Sequence, residues 1–122
     1  IRAHLNLGHT FAHAIEKVSN NVVRHGEAVA MGLAAAADLS ARLGYCDRHL
    51  RDRIDLVLKK VGLPNRIPVA LSPQLIFDVM SRDKKRLGQS IRLVLLVKVG
   101  QVFVADDVSN EDILETLQAM SH

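Results

Sequence analysis

The chain has 122 residues, a formal charge of +3, six histidines and only 3% aromatic residues. That length suits one compact domain and is too short for two, and the shortage of aromatics beside plentiful Ala, Leu and Val favours packed helices over a β-sandwich. The lysines and arginines are scattered with no interleaved aromatics, which argues against nucleic-acid binding, and no apolar run approaches the roughly 20 residues of a membrane span or forms a signal segment.

From about Arg2 to Val18, the residues Leu7, Phe11, Ala14, Ile15 and Val18 recur at helical spacing and predict an amphipathic helix with one buried stripe. Because that face is already running near Ile1, the chain reads as a piece of something longer. Ser19, Asn20 and Asn21 break the first helix. A second runs from His25 to Leu43 with Gly44 as its C-terminal cap, and the Leu33 to Ala37 stretch leaves it so little polar surface that it should be central and nearly buried. Cys46, the single cysteine, has no internal disulfide partner and fits a reducing cytoplasm.

Asp47 is the expected N-cap of a third helix through Leu50, Ile54, Val57, Leu58 and Val61, stopped by Gly62 and Pro64. Ser72 and Pro73 open a short fourth helix that fades near Asp83. The β-branched and Leu run from Ile91 to Val97, a tight turn at Gly100 and Gln101, and Val102 to Val104 predict a hairpin. Ser109 then caps a last helix holding Ile113, Leu114, Leu117 and Met120, with Glu111 and Asp112 favourably placed in its first turn. The expected fold is mainly α, a multihelical array with one β-hairpin, spanning residues 1–122 as one domain.

One set of residues points to chemistry. At roughly 100° per residue, Arg2, Asn6, His9 and His13 fall within a stripe about 60° wide, opposite the apolar stripe of the same predicted helix. Two histidines one turn apart can reach a single divalent ion, but Thr10 stands where a zinc protease helix needs glutamate, so a metalloprotease is excluded. His25, which opens the next helix after a short loop, is a candidate further ligand. Glu27 suits the first turn of that helix, with a hydrogen bond to a liganding histidine as its lesser role. His4, His49 and His122 have no such pattern and read as ordinary surface or core histidines. The run Asp83, Lys84, Lys85, Arg86 reads as a solvated helix end or, folded back on the first helix, as a source of lysine for an anionic substrate.

The segments LNLGHTFAHAIE (Leu5 to Glu16) and HGEAVAMG (His25 to Gly32) resemble the signature blocks of the 3-dehydroquinate synthase family, and the resemblance continues through SRDKKRLG and IRLVLLVKVG into VADDVSNEDI. It implies the C-terminal metal- and substrate-binding half of that enzyme, with an N-terminal NAD-binding domain absent. By this resemblance His9 and His25 bind catalytic Zn2+, or Co2+ in its place, while His13 faces the substrate and its phosphate. Arg2 and Asn6 bind the substrate, and Lys84, with Lys85 as the alternative, contacts phosphate. The catalytic pair is then His13 and Lys84, and no cofactor-binding residue falls in this chain.

The family's third ligand, a glutamate, lies with the NAD site in the other half. Ala12 stands where the family usually has glycine. The implied substrate is a phosphorylated sugar acid, and the implied partners are the missing domain and, at full length, a second copy in a cytoplasmic homodimer. Alone, the chain should bind zinc poorly and turn over nothing. Another sugar-phosphate cyclase, a metal-dependent alcohol dehydrogenase-like enzyme and a non-catalytic helical interaction module are the competing readings.

Overall fold

A helix made largely of alanine can be covered on all sides, because its neighbours' backbones approach it closely. In the computed structural model, which describes residues 8–86, 93–98 and 101–121 and the side chains of all these but 83–86, this occurs in the helix His25–Arg42. Ala28, Ala30, Met31, Ala34, Ala35, Ala36, Ala37 and Leu39 of that helix are all buried. In chain order the described elements are α1 (His9–Val18), α2 (His25–Arg42), α3 (Arg48–Lys60), α4 (Pro73–Arg86), β1 (Leu93–Lys98), β2 (Gln101–Ala105) and α5 (Asn110–Met120). α2 packs against α1, α3, β1 and α5, while α4 bridges α1 and α5. Phe11, Ile15, Leu39, Ile76, Leu93, Leu95, Ile113, Leu117 and Met120 fill the space between them. The expected mainly helical array with one hairpin is what forms.

The helix ends follow their side chains. Asp47 accepts the Leu50 N–H at 2.9 Å, Ser72 accepts that of Leu75 at 3.3 Å and Ser109 accepts that of Asp112 at 3.1 Å, each relieving a donor the helix cannot use itself. α1 ends in a turn where Asn20 and Asn21 both adopt left-handed backbone, φ 54° and 63°, a conformation asparagine tolerates better than most residues.

Two polar side chains tie the layers together from inside. The Ser40 hydroxyl on α2 donates to the Ala36 carbonyl at 2.6 Å and accepts the Leu96 N–H at 2.9 Å, fastening β1 to the helix. Asp38, only 3% exposed, accepts hydrogen bonds from Arg42 and Arg51 at 3.2 Å and from the Thr116 hydroxyl at 3.1 Å. One carboxylate therefore joins α2, α3 and α5, and its charge is matched by two guanidinium groups, as a buried ion requires. Burial works against the Arg51 charge, but Asp55 and Asp38 outweigh it and hold the group above its ordinary range.

Three expectations are corrected. The first helix does not run unbroken from Arg2 to Val18: Gly8 is left-handed at φ 75° and the helix begins at His9, because Gly8 lies hard against the backbone of Gly32 on α2. Gln101 belongs to β2, where it pairs with Lys98 beyond an irregularity at Leu96/Lys98, and is not part of the turn. α4 continues past Asp83 to Arg86.

Candidate metal centre

Three consequences of local sequence meet at one end of the α1–α2 pair. α1 carries His9 and His13 one turn apart on its exposed side. The Asn20–Asn21 turn, held by Asn21 N–H to the Glu16 carbonyl at 2.9 Å and by the Ser19 hydroxyl to the same carbonyl at 3.0 Å, sends the chain back so that α2 starts beside α1. Glycines at 8 and 32 remove the side chains that would hold the two helices apart: a Cβ on Gly8 would come within 2.5 Å of the Gly32 carbonyl carbon.

The result brings His9 and His25 together, with ring centroids 6.5 Å apart and planes at 66°. Two imidazoles sharing a tetrahedral ion at the usual Zn–N length have centroids about 5 Å apart. The His9 and His25 rings thus stand near one another on exposed side chains, farther apart than that geometry. His25 Nδ1 lies 3.0 Å from Glu16 Oε1, with the Glu16 side chain 23% exposed and that of His25 67% exposed. This leaves the far edge of the His25 ring facing outward. Two imidazoles, one of them beside a carboxylate, are donors of the kind that suits a divalent zinc or cobalt ion drawing its remaining ligands from elsewhere. Among the described residues no group of three His, Cys, Asp or Glu forms a complete metal site.

The other expected site residues fall as follows. His13 is exposed one turn beyond His9. Arg2 and Asn6 lie outside the described residues. Lys84 and Lys85 lie on the last turn of α4, and their side chains are outside the described set. Glu27 accepts the Arg24 N–H at 3.2 Å and serves the start of α2.

Sequence reasoning missed Glu16. It stands seven residues after His9 and three after His13, on the same side of the helix, so continuing the polar stripe by one more turn would have included it. Cys46 takes no part: burial, then the charge of Asp47, raises its thiol pKa and keeps it protonated.

The 3-dehydroquinate synthase C-terminal family model matches residues 1–86. The 3-dehydroquinate synthase of Pseudomonas putida (strain W619) is 44% identical over 120 residues, which is 98% of this chain and 33% of the relative. The chain thus spans about a third of the length of the curated relatives it matches. Among solved structures, 2-deoxy-scyllo-inosose synthase, complexed with carbaglucose-6-phosphate, NAD+ and Co2+, is 28% identical with a TM-score of 0.80, covering 94% of this chain and 33% of that one. The 2-epi-5-epi-valiolone synthase of Streptomyces hygroscopicus has the same fold, with a TM-score of 0.82 at 23% identity, covering 94% of this chain and 32% of that one.

Proposed function

The chain belongs to the 3-dehydroquinate synthase C-terminal family, and on that premise we propose that it supplies the metal- and substrate-binding part of a 3-dehydroquinate synthase. Its partner in this reading is an NAD-binding N-terminal domain of the kind that would make up the rest of its relatives' length. The reaction is the conversion of 3-deoxy-D-arabino-heptulosonate 7-phosphate to 3-dehydroquinate and phosphate, a lyase step in the shikimate pathway. The observation that carries the reading is the pairing of His9 with His25, 6.5 Å apart across two helices, inside sequence blocks typical of the family.

In this reading His9 and His25 hold the metal and a glutamate of the other domain completes its protein ligands. When bound, the metal supplies Lewis-acid polarisation of a substrate hydroxyl and NAD a temporary hydride acceptor. The chain's own residues bind and orient the substrate. Arg2 grips the carboxylate, and Asn6, His13 and Lys84 or Lys85 hold the phosphate. Donors from His13 and the lysine strengthen their hold as the phosphate leaves with its negative charge. The full-length enzyme is a cytoplasmic homodimer on this proposal, and the 122-residue chain alone is inactive.

Another sugar-phosphate cyclase is the second reading, since the solved relatives at this fold are of that kind; the 44% identity to a 3-dehydroquinate synthase, against 28% to the inosose synthase, favours the first. A chimera with this chain in place of the matching third of the Pseudomonas putida enzyme tests both. Supplied with zinc and NAD, it should release phosphate from the heptulosonate phosphate, and His9→Ala or His25→Ala should abolish release while leaving the helical signal intact. Turnover of a hexose 6-phosphate instead would move the assignment to the second reading. A folded chimera that turns over neither substrate would refute both.

A further inference from the structure

We propose that Glu16 is a positioning residue that fixes which nitrogen of His25 carries hydrogen, so that Nε2 is the nitrogen presented to the metal; this rests on the metal reading above. An ionised carboxylate only accepts hydrogen bonds. With His25 Nδ1 3.0 Å from Glu16 Oε1, the hydrogen of the neutral ring sits on Nδ1, and the lone pair that can bind a metal is on Nε2. The alternative tautomer would set a lone pair against a carboxylate.

The arrangement is built into the chain. Glu16 shares the side of α1 that bears His9 and His13, and its backbone carbonyl is held by Asn21 N–H and the Ser19 hydroxyl, so the residue that orients His25 is also the one on which the turn closes. Glu27, the other carboxylate near His25 in sequence, is engaged by the Arg24 N–H. Since the His25 side chain is 67% exposed, this contact adds little to the stability of the fold. Its effect is on ring orientation and ligand basicity, and carboxylates that do this for metal-bound histidines change affinity by roughly 10- to 100-fold.

The test uses the same chimera with the Pseudomonas putida enzyme, in which the remaining metal ligand is supplied, and nitrogen-15 NMR of its imidazoles at about pH 8.5, above the ordinary histidine range of about 6.5. His25 is expected as the Nδ1–H tautomer. Glu16→Gln, whose amide oxygen still accepts, should keep that form, while Glu16→Ala should lose it with the unfolding midpoint nearly unchanged. Zinc titration followed on the same resonances should require roughly 10- to 100-fold more zinc in Glu16→Ala, with Glu16→Gln recovering most of the difference. A wild-type Nε2–H tautomer, or equal zinc binding by Glu16→Ala and wild type, overturns the role of Glu16 alone. No zinc response at His9 or His25 in the wild type overturns the metal reading, and the role of Glu16 falls with it.

Discussion

Replacing Gly32 by alanine sets two effects against each other. Glycine inside a helix is about 1 kcal/mol less favourable than alanine, so propensity alone makes Gly32→Ala stabilising. The structure opposes this: a Cβ at position 32 would overlap the Gly8 carbonyl oxygen and lie 3.0 Å from Ala12 N and 3.1 Å from Ala12 Cβ. Backbone atoms cannot rotate aside, so the penalty belongs near the upper end of the usual overpacking range, about 3 kcal/mol. The net expectation is a loss of about 2 kcal/mol. For a chain of this size that lowers the urea midpoint by about 1 M and the melting temperature by about 10 °C. Circular dichroism during urea unfolding measures it directly. Gly26→Ala, in the first turn of the same helix with nothing within 4 Å of its added Cβ, is the control in which propensity acts unopposed. It should leave stability unchanged or raise it, by up to about 1 kcal/mol. If Gly32→Ala leaves the midpoint unchanged or raises it, the glycine seam does not set the spacing of α1 and α2.

Asp38→Ala leaves Arg42 and Arg51 without the carboxylate they share and should cost about 3 to 5 kcal/mol, the range for breaking a buried ion pair by removing one member; thermal melts would show it. Ser40→Ala takes the acceptor from the buried Leu96 N–H and should cost about 1 to 3 kcal/mol. Hydrogen exchange should show faster exchange at Leu96 than at the backbone amides of α5.

The helices were legible in the sequence where local signals agree. Asp47, Ser72 and Ser109 each precede an apolar period, and each caps the helix expected after it. The alanine run announced a covered helix because so little polar surface was left on it. The break at Gly8 was hidden: periodicity continued through it, and the reason for its left-handed backbone is a contact with Gly32, 24 positions away. Likewise Gln101 looked like part of a turn because hairpin register depends on a partner strand. At the site, resemblance to a family singled out His9 and His25, and the helical stripe supplied His13. Glu16 went unnoticed because its partner is His25, beyond a turn whose two left-handed asparagines cannot be read from spacing.

The bond between Ser40 and Leu96 also bears on solubility. Leu93 to Val97 is an uncharged run of Leu and Val, the type of short segment that stacks with copies of itself when its edge is open. β2 occupies one edge of β1, and a serine on the central helix occupies a donor on the other. Damage that loosens this helix from the hairpin therefore frees an adhesive strand, and weakened variants of this domain will be lost to precipitation before they have fully unfolded.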